Sequence, residues 1–263
     1  MAAREKMLRL TLPFYPERVL KVLKTVKKIH GPRTEVLKFL EKEWYTRMAE
    51  TYFNYCKYWD LITIEHELCK LTPLGDTILQ LYEARAWNLV SELIYYAFVN
   101  SKEFATLRII VRRLFEHLER YGAFEFTNEE IPSRFVSELR GRHDISDLTS
   151  VFWKAKILRR ERRGRKLVYL VDYYSPTLGS FALSLFHYLK SRKLRPPHSI
   201  MGFEEFRAFW FLSMDHFIEY LRRCRARGWI SYQEYADINQ FHFNINSLTE
   251  LTRHIIQAEV RRE

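Results

Sequence analysis

The sequence predicts a mainly α fold with small β-hairpins, an α+β chain built from tandem modules. Three observations point there. Apolar residues recur at three- and four-residue spacing, as in Phe104, Leu107, Val111, Leu114 and Leu118, which is the helical period. Short apolar runs come in pairs around turn residues, as in Ile157-Leu158 and Leu167–Val171 on either side of Gly164. Finally, Thr72-Pro73-Leu74-Gly75 is echoed by Pro176-Thr177-Leu178-Gly179. Each follows two strand-like runs, and the spacing of roughly a hundred residues marks an internal repeat.

Taken in order, Glu17–Ile29 is a helix opened by Pro16, and Gly31-Pro32 breaks the chain. Arg33–Leu40 and Trp44–Trp59 are helices, then Leu61–Ile64 and Leu68–Leu71 are strands. Pro73–Asn100 reads as one nearly continuous helix, rigidly coupling the modules on either side. Lys102–Tyr121 is a helix stopped by Gly122, and Phe124-Glu125-Phe126 alternates as a strand. Thr127-Asn128-Glu129-Glu130 has capping-box spacing and opens a helix to about Leu139, with Pro132 tolerated in its first turns. After the turn Arg140-Gly141-Arg142-His143, Asp144 caps Ile145–Ala155, whose buried stripe is Ile145, Leu148, Phe152 and Ala155. The hairpin around Gly164 follows. Phe181–Leu189 is helical, and Lys190–His198, with Pro196 and Pro197, is the clearest boundary. Ser213–Arg227 ends at Gly228, Trp229–Tyr235 and Gln240–Ile245 can pair, and Ser247–Val260 closes as a helix. The expected modules are 1–84, 85–195 and a helical 196–263, a degenerate third copy.

The order over about Lys102–Asp172 is helix, strand, helix, turn, helix, two-stranded wing. It resembles the winged-helix variant of the helix-turn-helix superfamily, in pattern and without the motif of one family. The earlier and later copies extend that resemblance to a tandem winged-helix protein. What it implies is double-stranded DNA binding by the middle module, with Asp144–Ala155 entering the major groove and the wing gripping the flanking backbone.

The wing itself carries an independent signal. Its tip holds Arg159, Arg160, Glu161, Arg162, Arg163, Gly164, Arg165 and Lys166, six cations and one anion. Such a tip repels itself, which suits a phosphate backbone better than it suits stability. A solvated surface loop is the plain alternative. Charge is also unevenly placed: residues 1–84 are net +3, 85–195 net +9 and 196–263 net −1, out of +11 overall. The excess therefore sits on the middle module, a footprint for an anionic partner. The candidate nucleic-acid residues are Arg140, Arg142, His143, Ser146, Thr149, Ser150, Lys154, Arg159, Arg160, Arg162, Arg163, Arg165 and Lys166. Trp153 lies on the same outward side and can instead pack against a neighbouring element. The other two wing tips, Glu65-His66-Glu67 and Glu234-Tyr235-Ala236-Asp237, are acidic and suit protein contacts, to a partner or a second copy of the chain. Arg222, Arg223, Arg225 and Arg227 form a second basic cluster near a helix C-terminus, where cations also favour the helix dipole.

Other classes fit poorly. No apolar run approaches the ~20 residues of a membrane span, and the start lacks a signal-like apolar region, so a cytoplasmic protein is expected. Cys56, Cys69 and Cys224 are scattered and odd in number, which argues for reduced thiols and against a Cys-ligated metal. Sparse Asn and Gln with abundant Arg, Lys and Glu are compatible with a thermophile. No Gly-rich phosphate loop runs into Lys-Ser/Thr, and His66-Glu67 lacks the second His of a helical zinc pair. His117-Leu118-Glu119-Arg120 has a recombinase-like spacing without supporting flanks. The expectation is a non-enzymatic protein without cofactor or metal. It would serve as a transcription regulator or as the DNA-recognition subunit of a larger system in genome defence or replication. A winged-helix interaction scaffold is the competing class. High aromatic content is read first as core packing, with base stacking by Tyr52, Phe53, Tyr55 or Tyr58 as the lesser reading.

Overall fold

The computed structural model describes residues 15–101, 105–130, 149–234 and 239–260. Helices surround three small antiparallel sheets among the described residues, a mixed α+β architecture. Pro16 opens α1 (Pro16–Ile29), where its missing N–H leaves nothing unsatisfied. α2 (Arg33–Leu40) and α3 (Thr46–Tyr58) pack on α1 through Val22, Leu23, Val36, Phe53 and Cys56, all fully buried. β1 (Ile62–Glu65) and β2 (Leu68–Leu71) form a hairpin. The Cys69 N–H donates to the Gly31 carbonyl at 2.9 Å and Pro32 bridges Leu68, so the break between α1 and α2 adds a rudimentary third strand.

The first of the two echoing tetrapeptides has a physical reason. Thr72 caps α4 (Pro73–Glu83), its hydroxyl accepting from the Gly75 N–H at 3.1 Å. Gly75 has no room for a side chain, because a Cβ there would lie 2.0 Å from the Leu61 carbonyl oxygen. The single helix expected over Pro73–Asn100 is instead two, α4 and α5 (Trp87–Asn100). Arg85 takes a left-handed φ of 64°, and Tyr82 packs edge-on against Trp87 with centroids 4.9 Å apart. No glycine or proline announces that break. α5 is buried on nearly all sides, from Leu89 to Val99, which makes it the central strut of the molecule.

α6 (Ala105–Tyr121) ends at Gly122, whose φ is 79°. β3 (Phe124–Thr127), β4 (Arg159–Arg163) and β5 (Lys166–Val171) form a sheet in the order β3-β5-β4. The Glu130 carboxylate accepts from the Thr127 N–H at 2.6 Å, the reciprocal bond of a capping box. The helix expected to follow, to about Leu139, lies outside the described residues, as does the first part of Ile145–Ala155; 149–154 is helical. Thr177 then caps α7 (Leu178–Ser191), accepting from the Ser180 N–H at 3.3 Å.

β6 (His198–Ser199), α8 (Glu204–Trp210), α9 (Met214–Ala226), β7 (Ile230–Glu234) and β8 (Asn239–Phe243) follow, with sheet order β6-β8-β7. Ser247 caps the closing helix α10 (Leu248–Ile255). Helix, strand or bridge, helix and hairpin thus recur three times, and the third series begins with α7. The expected boundary at Lys190–His198 runs between elements that pack on each other. Phe181 and Tyr188 of α7 meet Phe206 of α8 at 5.8 and 5.4 Å, and Arg192 pairs with Glu205 at 2.8 Å. The segment 196–263 therefore shares its core with α7. At the centre Trp210, fully buried, stacks on Tyr96 and Tyr174 and donates its indole N–H to the Ser184 hydroxyl at 3.1 Å. No described helix is long and apolar enough to cross a membrane.

Candidate nucleic-acid interface

The helical segment 149–154 is anchored by Phe152, whose ring meets Tyr95 at 5.8 Å and Phe211 at 6.2 Å, both edge-on. Ile157 and Leu158 are buried rather than paired as a strand, and the chain enters β4 on a run of cations. Cross-strand pairs extend through Arg163 and Lys166, leaving Gly164 and Arg165 as a two-residue turn; Gly164 has a φ of 62°. A left-handed first turn residue is what this tight hairpin requires, and glycine supplies it without strain. β5 is held from below by Tyr169 and Val171, with Tyr169 stacked on Phe126 at 5.6 Å.

The pairing register sorts the cations. Arg160 and Arg162 lie opposite Tyr169 and Leu167, on the sheet face that carries the core side chains. Arg159, Glu161 and Arg163 lie on the other face. Arg163 is already committed: its guanidinium grips Glu125 with two bonds of 2.6 and 2.7 Å and reaches Glu161 at 3.1 Å. Those bonds, Glu125 first, push its pKa further up. Arg160 lies over the Trp153 ring at 3.5 Å, a cation–π contact that ties the wing to the helical segment. Arg159, Arg162, Arg165 and Lys166 are exposed, and among the described residues none of them forms an ion pair.

The helix contributes less than its sequence suggests. Thr149, expected to face outward, is 1 % exposed, and its hydroxyl donates to the Asn128 carboxamide oxygen at 3.0 Å. It is a packing residue, because the outward side of the segment begins one position later. Ser150 is half-buried. The Lys154 ammonium sits 4.2 Å from the Tyr15 ring, so it links the middle unit to the start of α1. Arg140, Arg142, His143 and Ser146 lie outside the described residues. Trp153 and Leu167, both partly exposed, add an apolar element to the face that carries Arg160 and Arg162. Trp153 was legible as an outward aromatic; its partner was not, because only the hairpin register brings Arg160 over it.

The other hairpins differ. At the first, Glu65 pairs with Lys70 at 3.0 Å, and His66 and Glu67 take left-handed φ values of 49° and 65° without a glycine. At the third, Glu234 pairs with Arg222, so the second basic cluster is partly neutralised by its own sheet. Among the aromatic residues of α3, Tyr52 and Phe53 are buried and Tyr55 stacks on Trp59 at 5.6 Å, which assigns them to the core. Searches of known protein families, of curated proteins and of solved structures gave no match to this chain.

Proposed function

We propose that the chain binds double-stranded DNA as a tandem winged-helix protein, with the middle unit as the reader. One observation carries the reading. Four exposed cations on one hairpin stand free of carboxylates among the described residues, and a fifth, Arg160, joins that hairpin to a helix through Trp153. Phosphates supply the counter-charge that the protein does not. The threefold recurrence of helix, strand or bridge, helix and hairpin supports the winged-helix reading, since that order places a helix beside each wing. In this reading the helix ending at Ala155 lies in the major groove, and Arg162, Arg165 and Lys166 reach the backbone beside it. The outer units, with paired acidic wings, make protein contacts, to a partner or a second copy. The biological role is transcription regulation or DNA recognition for a larger assembly, without catalysis.

The test is fluorescence anisotropy with duplex DNA, single-stranded DNA and duplex RNA across a salt series. Duplex DNA should bind best, with log affinity falling linearly in log salt at about 0.9 per neutralised phosphate. Absence of salt-dependent duplex binding would leave the interaction-scaffold reading, which the paired acidic wing of the first unit favours.

A further inference from the structure

Two large apolar side chains of the middle unit stay outside the core. Trp153 is 38 % exposed on the helical segment 149–154, and Leu167 is 40 % exposed on β5. Apolar residues scattered singly over a surface need no account. These two share one face. Arg160 is paired with Tyr169 and Arg162 with Leu167, so all four side chains project from the same side of the hairpin. Arg160 stands 3.5 Å from the centre of the Trp153 ring, which turns that side toward the helical segment. Leu167 lies nearer the turn than Tyr169, opposite the exposed Arg162.

The position of the two side chains limits what can cover them. The turn itself, Gly164 and Arg165, carries no apolar side chain and is flanked by Arg163 and Lys166. A hairpin that enters a bilayer would place apolar residues at that tip. Here they are set back, in the angle between helix and wing, with cations at the outer edge. That arrangement fits a polyanion whose own apolar groups are recessed behind its charges. In a DNA duplex the phosphates line the rims, and the major groove offers one apolar group among its base edges, the C5 methyl of thymine. The minor groove presents acceptors and the guanine amino group, and no methyl. Arg160 covers one face of the indole, so the ring is held in place and presents its remaining face and edge.

We infer that Trp153 and Leu167 read the C5 methyl groups of pyrimidines in the major groove, which gives the middle unit a preference for thymine-containing sites. The inference rests on the DNA reading above and adds to it a base preference that phosphate contacts do not supply.

Anisotropy titrations of the full chain with two pairs of duplexes test it. In one pair thymine is replaced throughout by uracil, and in the other cytosine by 5-methylcytosine. Within each pair the charge and the hydrogen-bonding groups are the same, and only the C5 methyl differs. The methylated member should bind more tightly, by about fourfold for each methyl covered, the worth of one buried methyl group. Trp153→Ala should remove most of that difference. The log–log salt slope should stay as in the parent chain, because no phosphate contact is lost. Leu167→Ser should reduce the difference at the same slope, and its exposed position keeps the test valid if the Trp153 variant does not fold. Duplex binding with equal affinity within both pairs would overturn the inference and leave the DNA reading standing. A methyl preference unchanged in the folded variants would place the contact elsewhere and overturn it equally. Failure to bind any duplex would remove both readings, and binding to vesicles of anionic phospholipid instead would give this face to a membrane surface.

Discussion

At the scale of single residues, charge alone does not assign a role; the nearest carboxylate does. Arg163 and Arg162 are neighbours in sequence, yet Arg163 is bound to Glu125 and Glu161 while Arg162 donates only weakly, to the Gly164 carbonyl at 3.4 Å. Changing Arg159, Arg162, Arg165 and Lys166 together to Ala should therefore weaken duplex binding almost equally for every sequence. The log–log salt slope should flatten by about 0.9 for each phosphate that is no longer neutralised. Arg163→Ala alone should leave that slope unchanged, and anisotropy across a salt series distinguishes the two variants. Glu92 makes the opposite point, an acid inside the core. It is 7 % exposed and accepts from the Tyr174 hydroxyl at 2.7 Å, the Thr177 hydroxyl at 2.6 Å and the Thr177 N–H. Glu92→Ala strands those donors and should lower stability by about 2–3 kcal/mol in chemical denaturation. The candidate cations could be read from sequence because they are consecutive. Their partners could not: Glu125 is 38 residues from Arg163, and Thr149 is hidden by Asn128, 21 residues away.

Elements were more legible than contacts, because helical period and turn chemistry are local. α1, α3, α6 and α9 lie close to where their apolar spacing places them, and Gly122, Gly164 and Gly228 all take positive φ at the expected stops and turns. The break at Arg85 escaped because a left-handed arginine carries no compositional mark. The start of the third repeat escaped as well: its first helix, α7, precedes the two prolines that look like a boundary, and β6 spans only two residues. Among the wings, the first is acidic and closed on itself by the Glu65–Lys70 pair. If it points away from nucleic acid, replacing Glu65 and Glu67 with Gln should leave duplex affinity within about 0.5 kcal/mol, the scatter of exposed substitutions. A larger gain would mean that this hairpin already lies along the phosphates.

For the molecule as a whole, α7 and α8 belong to one core, so the chain should not divide at Arg195. A fragment ending there exposes Phe181 and Tyr188, which α8 covers in the intact chain, and removes Trp210 from the centre. Truncating even one large buried aromatic side chain typically costs about 3–5 kcal/mol. The fragment should aggregate or melt far below the intact chain in a thermal scan. Alkaline pH should reveal the same core. Burial raises the pKa of Tyr95, Tyr96, Tyr174 and Tyr220, and pushes Tyr188 up to about 12. Their contribution is intact below pH 10. Above it the unfolded chain releases phenolic protons that the folded chain keeps, so stability falls with rising pH by up to about 1.4 kcal/mol per unit for each such tyrosine. Denaturation at pH 9, 10, 11 and 12 would show the decline beginning near pH 10. The central strut has a further consequence in time. α5 is made before residue 101 and packs first on α4, yet the other part of its cover comes from α7 and α8, which end at Trp210. At ribosomal speeds the growing chain carries the α7- and α8-facing side of that apolar helix uncovered for on the order of 5–20 s. Ribosome-bound chains stalled between these two points are where chaperone binding to this protein should be greatest.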